Sequence, residues 1–453
     1  METRRREFLR QISGVTALAA SGSLLGRDTR AGSSQDVSSA ETQTVGSLES
    51  LRAQFPVLAE RVNGNPLVYL DSAATTQRPR AVIDALSNFY LHDNANAAKI
   101  LHSLARRTAT LYEKARETVA RFVHARAPQE IVWTRGTTEA INLVASSWGG
   151  ANLHSGDEII LTVSEHYSSL VPWQLAAQRS NARVRILDVE DDGRLRLDQL
   201  DALLSKRTKL VAFPHVSNVL GLINPAKEIC ERAHRIGALV IVDGAQSVPH
   251  FSVDVQNLGC DFVAFSGHKM FGPMGIGVLW ARREILDNMS PYQAGSNMAH
   301  DVEMESAPTH FAEGSLKFEA GTPNVSGALG LAAAIEFLES LGHEALWTRE
   351  QELTRHALSR FKEVKGLRIL GPTEPNERIS VFSFVVDNRP VLDVVKELDA
   401  LGIAVRGGDL ASLPVLKRMG VTAAVRASCY AYTSRAEIDQ LIAALQSERR
   451  GVS

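Results

Sequence analysis

The residue types most able to do chemistry in this sequence follow directly after short apolar runs. The polar groups in these positions are Glu165-His166, His215-Val216-Ser217-Asn218, Asp243-Gly244-Ala245-Gln246 and Ser266-Gly267-His268-Lys269. Each group alone is weak evidence, because a single Asp after a strand is more often a helix cap. If the runs are neighbouring parallel strands, their carboxyl ends meet at one edge of a sheet, where ligands bind. The order of the groups therefore predicts one site that combines an amine, a carboxylate and imidazoles.

The elements that must position these groups are unbroken apolar runs separated by amphipathic stretches. The runs cover residues 159–163, 210–213, 238–242, 262–265 and 276–280. Such strands alternating with helices indicate a sheet buried on both faces, that is, a largely parallel α/β layer. After Leu341-Gly342 the pattern changes to helices at 344 onward, 391–401 and after Ser434, with a strand at 379–386. We predict a large domain at 48–340, whose first segment packs on a smaller α+β domain at 341–453.

The composition excludes several classes of function. The 453 residues carry a formal net charge of -2, with 44% hydrophobic and 22% charged residues, as in a globular protein. Lys and Arg are not gathered into a stripe, so we predict no nucleic-acid partner. The 3 cysteines, Cys230, Cys260 and Cys429, form no C-x-x-C pair, and no His cluster has metal-ligand spacing. We therefore predict no metal site.

The N-terminus resembles an export signal. Arg4-Arg5-Arg6-Glu7-Phe8-Leu9-Arg10 precedes a modestly apolar stretch from Ile12 to Leu25, which is typical of twin-arginine signals. We predict a signal peptide at 1–31, cleaved after Ala20 or Ala31, and a disordered Ser-rich spacer at 32–47. A basic, frayed terminus is the simpler alternative. No other segment is expected to span a bilayer, so the prediction is a periplasmic or otherwise exported protein.

Several stretches resemble the class V aminotransferase family, and within it the Suf-type cysteine desulfurases and selenocysteine lyases. The resemblance runs from Leu51 to the last helix, and it rests on Tyr69–Ala74, Arg135–Glu139, Ile141-Asn142, His215–Gly221, Val242–Gln246, Phe265–Lys269, Phe318–Asn324 and Arg426–Ser428. It implies an α/β fold of the PLP-dependent transferase type I, with a mostly parallel sheet of the seven-stranded type and a smaller C-terminal α+β domain. The implied cofactor is pyridoxal 5'-phosphate (PLP).

The resemblance also implies which residues would bind the cofactor. Lys269 would hold PLP as a Schiff base and move the substrate α-proton, and Asp243 would pair with the pyridine nitrogen. His166 would stack on the ring and is also a predicted catalytic residue. Gln246 would contact the phenolic oxygen. For His166 and Gln246, a satisfied polar group near the core edge is the alternative.

The phosphate and the substrate have their own implied contacts. Gly136-Thr137-Thr138 opens a helical run, and a helix N-terminus offers free N–H groups to a phosphate, with a simple helix cap as the alternative. The family's phosphate contacts match Thr137, Thr138, Ser266, His268 and Thr322. Because Thr322 resembles a residue that reaches the phosphate from the neighbouring subunit, the resemblance implies a homodimer. The implied substrate contacts are Arg426 at the α-carboxylate, Asn218 as its helper and Ala74, with a structural salt bridge as the alternative for Arg426.

The sequence departs from the family in the loop that normally carries a catalytic cysteine. There it reads Arg406-Gly407-Gly408-Asp409-Leu410-Ala411-Ser412-Leu413-Pro414. Counting back from Pro414 puts Ala411 at the nucleophile's position, and Asp409 and Leu410 replace the preceding histidines. A second departure puts Ala98, Lys99 and Ile100 where the family has His-Arg-Gly. The cofactor contacts are kept while the substrate contacts change, which predicts a retained cofactor and a changed reaction.

These observations predict an exported PLP-dependent lyase or transferase that acts on an amino acid or an amino-acid side chain. Cysteine- or cystine-type C–S or C–Se β-lyase chemistry and amino transfer both remain open, because both begin when Lys269 removes the α-proton. The alternatives are a periplasmic aminotransferase that tailors a peptide or siderophore, a cysteine desulfurase that works without the usual cysteine, and a catalytically dead binding protein. The presence of Lys269 argues against the last of these.

Overall fold

The computed structural model describes residues 48–98, 100–300, 302 and 309–447. The predicted signal peptide at 1–31, the spacer at 32–47 and Lys99 lie outside these residues. No single helix in the described ranges is long and apolar enough to cross a membrane. The helices Val325–Leu341 and His343–Phe361 reach the length and hydropathy of a membrane span only when they are counted as one segment. The angle between these two helices is 78°.

Strands and helices alternate along most of the chain. In chain order the strands are β1 (Arg61–Val62), β2 (Asn65–Pro66), β3 (Val68–Tyr69), β4 (Ile131–Thr134), β5 (Glu158–Thr162), β6 (Arg183–Leu187), β7 (Thr208–Pro214), β8 (Leu239–Asp243), β9 (Phe262–Ser266), β10 (Gly277–Ala281), β11 (Ala299–His300), β12 (His310–Phe311), β13 (Leu367–Ile369), β14 (Val381–Val386), β15 (Ile403–Ala404), β16 (Arg406–Gly408) and β17 (Ala424–Ser428). The α-helices are Leu48–Arg52, Arg80–Asn88, Ser103–Phe122, Thr137–Asn152, Tyr167–Ser180, Leu197–Leu203, Ala226–His234, Val255–Leu258, Arg283–Asn288, Val325–Leu341, His343–Phe361, Val391–Ala400, Leu413–Arg418 and Arg435–Gln446.

A 7-stranded sheet in the order β4-β10-β9-β8-β7-β5-β6 forms the centre of the large layer. Strands β6, β5, β7, β8 and β9 are parallel, whereas β10 is antiparallel to both of its neighbours. All residues of β5, β9 and β10 are buried. This burial follows from helices covering both faces, and it explains why these strands are apolar without alternation.

The C-terminal part contains a 4-stranded antiparallel sheet in the order β13-β14-β17-β16. Its core joins Phe382 and Phe384 of the sheet to Phe361 and Ile438 of the helices that cover it. Strand β15 pairs in parallel with β3 near the start of the described residues. The predicted fold class, a mostly parallel α/β layer with a smaller C-terminal α+β part, is confirmed. The boundaries at 48–340 and 341–453 stay a prediction.

Local sequence signals explain where the C-terminal helices begin. Gly342 separates Val325–Leu341 from His343–Phe361 with a φ of 79°, a conformation that glycine adopts without a Cβ clash. The last helix starts at Arg435 behind a capping box, in which Ser434 and Glu437 bond reciprocally to each other's backbone N–H. These two signals fix the chain path on either side of the antiparallel sheet that carries β17.

Candidate active site

The carboxyl ends of β5, β7, β8 and β9 open into a cavity of about 440 Å³. With the exception of Thr322, every site residue predicted from the sequence lines this cavity: Ala74, Thr137, Thr138, His166, Asn218, Asp243, Gln246, Ser266, His268, Lys269 and Arg426. The prediction that these polar groups meet at one sheet edge therefore agrees with the geometry. Their roles toward a ligand stay predictions.

Lys269 and Asp243 form the charged centre of the cavity. Lys269 ends the short 3-10 turn Gly267–Lys269 that follows β9, and Asp243 is the last residue of β8. Burial lowers the pKa of Lys269 to about 8, although the nearby Asp243 carboxylate opposes this shift. Burial also raises the pKa of Asp243, against the stabilising charge of Lys269 and a hydrogen bond from the Ala245 N–H. The lysine is thus an amine with an appreciable neutral fraction near neutral pH.

His166 and Gln246 lie on the wall beside this pair. The Nδ1 atom of His166 accepts a hydrogen bond from the Ser168 N–H at 3.0 Å, so the neutral ring carries its proton on Nε2. Burial, followed by the charge of Lys269, lowers the pKa of His166 to about 4. The ring is therefore neutral at physiological pH and can lie flat against an aromatic ligand. Gln246 donates one amide hydrogen to the Ala73 carbonyl at 2.8 Å.

One end of the cavity has the features of an anion site. The helix Thr137–Asn152 begins there, the Thr137 N–H donates to Ser266 Oγ at 2.8 Å, and the Thr137 and Ser266 hydroxyls are 2.7 Å apart. The loop before the helix packs tightly on β10, since a Cβ on Gly277 would lie 2.4 Å from Gly136 Cα. Hydroxyls and free N–H groups at a helix N-terminus are suited to a phosphate.

At the other end, Arg426 of β17 carries a buried guanidinium. Its Nη1 donates to the Asn218 carbonyl at 3.0 Å, its Nη2 lies 3.5 Å from Asp71 Oδ1, and its Nε has no hydrogen-bond partner within the described residues. Burial lowers the pKa of Arg426 to about 10, and Asp71 opposes this shift. The group stays charged and keeps an unsatisfied donor, as a binding site for a carboxylate requires.

The loop 406–412, which begins where Arg406 pairs with Arg426 in the sheet, contributes five of its residues to the cavity lining. The Asn218 side chain fixes it, donating to the Leu410 carbonyl at 2.9 Å and accepting from Ser412 Oγ at 3.1 Å. The Tyr167 N–H donates to the Ala411 carbonyl at 2.8 Å. Asn218 therefore positions the loop through contacts that the sequence did not reveal, and its predicted contact with substrate stays a prediction.

Sequence reasoning did not assign a site role to Arg406, Asp409 or Ser168, yet all three line the cavity. Ser168 Oγ lies 2.7 Å from Thr138 Oγ1, and Arg406 pairs with Asp71 at 2.8 Å. The position of Ser168 two residues after His166 was an available signal. No sequence pattern signals Arg406, because it reaches the cavity only through the pairing of β16 with β17.

The sequence profile of the family described as aminotransferase class-V matches residues 68–441. The chain belongs to the class-V aminotransferase family. Its curated relatives include a cysteine desulfurase of Synechococcus elongatus, 48% identical over 404 residues, and a probable cysteine desulfurase of Halalkalibacterium halodurans, 47% identical over 399 residues. The alignments cover 89% and 88% of this class-V chain, and 64% and 97% of the respective relatives. The chain thus spans less than two thirds of the Synechococcus protein.

Solved structures resemble the class-V chain over most of its length. The S-sulfonic acid form of the Escherichia coli cysteine desulfurase CsdA has a TM-score of 0.81 and 37% identity, and the alignment covers 88% of this chain and 97% of that one. Apo cysteine desulfurase of Thermococcus onnurineus NA1 has a TM-score of 0.83 and 36% identity over the same shares. A C-DES mutant with glycine covalently linked to its PLP cofactor has a TM-score of 0.75 and 25% identity, covering 87% and 98%.

Class-V aminotransferases and their cysteine desulfurase relatives are PLP-dependent enzymes, and the cavity fits that cofactor. The fit rests on three observations at different parts of the cavity. An amine of lowered pKa faces a buried carboxylate, a neutral imidazole flanks them, and a helix N-terminus with two hydroxyls closes one end. These groups match the aldehyde, the ring and the phosphate of PLP, and they support the predicted cofactor.

The cysteines of this class-V enzyme lie away from the cavity. Cys230, Cys260 and Cys429 are all within the described residues, all are buried, and none lines the cavity. Burial raises the pKa of Cys230 to about 12 and raises those of the other two thiols well above their usual range. None of them is suited to act as a thiolate nucleophile here.

Thr322 lies outside the cavity, exposed in the turn before the helix Val325–Leu341. Its predicted contact with the phosphate of a neighbouring subunit, and the homodimer that this contact implies, stay predictions.

Proposed function

We propose that the chain is a PLP-dependent lyase that eliminates a sulfur leaving group from the β-carbon of cystine-type amino acids. The observation that carries the proposal is the composition of the substrate end of the cavity. Lys269 and Arg426 are kept there, while Ala411 lines the wall and no cysteine does. Without a thiol to attack the substrate sulfur, the sulfur must leave with its bonding electrons.

In the proposed mechanism, Arg426 binds the α-carboxylate and places Cα near Lys269. The neutral amine of Lys269 takes the α-proton, and its lowered pKa makes this possible near neutral pH. PLP, when bound, supplies the electron sink for the pair left at Cα. His166, neutral because its pKa is about 4, adds no positive charge against Lys269. Asp243 and Gln246, which line the same cavity, would hold the cofactor.

The bond changes balance without an external oxidant or reductant. The Cβ–S bond breaks, its electron pair leaves with sulfur, and a disulfide substrate releases a persulfide anion. A persulfide is a weaker base than hydrosulfide, so it departs more readily without assistance. The remaining three-carbon unit leaves as 2-aminoacrylate, which water converts to pyruvate and ammonium. One L-cystine and one water therefore give one cysteine persulfide, one pyruvate and one ammonium.

Export supports a disulfide substrate. The predicted twin-arginine signal would carry an already folded chain, with its cofactor bound, into an oxidising compartment where thiols occur as disulfides. In this proposal the protein acts in the periplasm, as a homodimer in which Thr322 reaches the neighbouring subunit. Fractionation of cells that produce the full chain tests the location, and retention in the cytoplasm after Arg5 and Arg6, the pair in the Arg-Arg-x-Phe-Leu-Arg pattern, are both changed to Lys would support it.

Desulfuration of L-cysteine is a second candidate, because the curated relatives described above are named cysteine desulfurases. The two functions differ in product. A β-lyase yields pyruvate and ammonium, whereas a desulfurase yields L-alanine, and amino transfer yields a keto acid only when a second keto acid is present.

The deciding experiment incubates the chain without residues 1–31, saturated with PLP, with L-cystine, L-cysteine or L-glutamate plus pyruvate. Pyruvate, alanine, 2-oxoglutarate and persulfide are quantified, with Lys269→Ala as the control. Stoichiometric pyruvate and persulfide from L-cystine support the proposal. Alanine from L-cysteine supports desulfuration, and 2-oxoglutarate from L-glutamate supports amino transfer; either result without pyruvate release refutes the lyase.

A further inference from the structure

The charges around the substrate end of the cavity leave one carboxylate without a counter-ion once a substrate carboxylate binds there. Among the described residues that line this end, the basic groups are Arg406 and Arg426, and the acidic group is Asp409. Asp71, behind the wall, pairs with Arg406 at 2.8 Å and lies 3.5 Å from Arg426. Arg406 is thus neutralised by Asp71. Once Arg426 binds an α-carboxylate, Asp409 is the charge at this end that lacks a counter-ion.

The Asp409 carboxylate is exposed and held in place by neutral donors. Its Oδ2 accepts from the Tyr167 hydroxyl at 2.9 Å, and its Oδ1 accepts from the Ala411 N–H at 3.1 Å. No ion pair within the described residues involves Asp409. A carboxylate accepts about four hydrogen bonds, so the two neutral donors leave room for a cationic one.

The position of Asp409 determines which part of a substrate it meets. Asp409 is exposed on the same loop as Ala411, and both line the cavity together with the buried Arg426, whereas Lys269 ends the turn that follows β9. In the proposed binding mode the carboxylate binds Arg426, Cα faces Lys269, and the side chain extends along the loop that carries Ala411 and Asp409. The distal end of the side chain is the part that reaches this carboxylate.

We propose that Asp409 is a specificity-determining residue that selects substrates with a second ammonium group at the distal end of the side chain, as in L-cystine. This inference rests on the proposed β-lyase function and names its substrate class. A distal carboxylate is disfavoured by like-charge repulsion, and a neutral group gains no ion pair.

The test compares three mixed disulfides of L-cysteine that differ only at the distal end. Their partners are cysteamine, which carries an ammonium group, 3-mercaptopropionate, which carries a carboxylate, and ethanethiol, which is neutral. We expect kcat/KM for pyruvate release to be about fivefold higher for the cysteamine disulfide than for the neutral one, the upper range for an exposed ion pair. The mercaptopropionate disulfide should be the poorest of the three.

Asp409→Asn removes the charge and keeps an acceptor for the Tyr167 hydroxyl, so it should abolish the preference for the cysteamine disulfide over the neutral one. Asp84→Asn, at an exposed position of the helix Arg80–Asn88 that does not line the cavity, changes the net charge equally and should keep the preference. Equal kcat/KM for all three substrates in the wild type, or an unchanged preference in Asp409→Asn, overturns the inference while leaving the lyase function intact.

Calorimetric binding provides a readout that does not depend on turnover. The thioethers S-(2-aminoethyl)-L-cysteine and S-(2-carboxyethyl)-L-cysteine carry the same distal charges on a poorer leaving group. The wild type should bind the aminoethyl compound about fivefold more tightly, and Asp409→Asn should bind the two equally. If no disulfide yields pyruvate, the proposed function fails, and this affinity ratio still decides whether Asp409 selects a distal ammonium group.

Discussion

The lowered pKa of Lys269 makes a quantitative prediction about its reactivity. Burial moves this pKa from 10.5 to about 8, with Asp243 opposing the shift. At pH 7 about one Lys269 side chain in ten is then neutral, compared with about one in 3000 for an amine of pKa 10.5. The amine should therefore react about 300-fold faster at pH 7 than an unshifted lysine of equal accessibility.

Competitive acetylation of the cofactor-free protein measures this value directly. Trace acetic anhydride is added at a series of pH values, and the fraction of Lys269 that is labelled is quantified by mass spectrometry. Labelling should rise tenfold per pH unit below about 8 and then level off. His166 and His268, each with a pKa lowered to about 4 mainly by burial, do not titrate in this range and leave the curve undisturbed.

Removal of the Asp243 carboxylate tests the direction in which this group shifts the pKa of Lys269. In Asp243→Asn, Lys269 loses the anion that raises its pKa, so the midpoint of labelling should move below 8. A wild-type midpoint near 10.5, or an upward movement in Asp243→Asn, would refute the electrostatic reasoning. It would also remove the physical basis for Lys269 as a base near neutral pH.

Three further predictions concern residues that line the cavity or lie next to those that do. Desolvation raises the pKa of buried Glu165 to about 8, so ionisation of this group destabilises the fold as pH rises from 4.5 to 8. The melting temperature of Glu165→Gln should therefore exceed that of the wild type by more at pH 8 than at pH 4.5. Gly277→Ala places a methyl group 2.4 Å from Gly136 Cα and should weaken PLP affinity at least about tenfold by fluorescence titration, whereas Gly150→Ala, which meets no atom within 4 Å, should not. Arg426→Lys loses the planar fork and should raise KM for L-cystine by about thirtyfold or more, with a smaller change in kcat; an unchanged KM would place the α-carboxylate elsewhere.

The elements that carry the site could be predicted because their signals are local. β5, β7, β8 and β9 are apolar runs with polar ends, and burial on both faces makes each run continuous. β6 was not predicted. It reads Arg183-Val-Arg-Ile-Leu187, lies at the sheet edge and is half-exposed, so charged residues interrupt its apolar pattern. At four residues, β4 is too short for periodicity to identify.

The residues of the site also fall into those that the sequence could predict and those that it could not. Lys269, Asp243 and Ser266 end strands and could be predicted from their position and from the family resemblance. Asp71 and Arg406 lie 335 residues apart in the chain, and they meet only because β16 joins the sheet beside β17. Tertiary pairing of this kind has no local signature. The charge balance around Arg426, from which the selectivity of Asp409 follows, was therefore accessible only from the structure.

The backbone of the loop 406–412 explains how the position predicted for the nucleophile can hold alanine while the wall of the cavity is kept. Leu410 and Ala411 have φ values of 52° and 54°, a conformation that costs a non-glycine residue about 1 kcal/mol or more. The bonds that offset this cost use the Leu410 and Ala411 backbone carbonyls, with Asn218 and Tyr167 as donors. None of these bonds involves the side chain at 411. The loop can therefore keep its shape without a thiol, and the reaction then depends on whether the substrate sulfur can leave unaided.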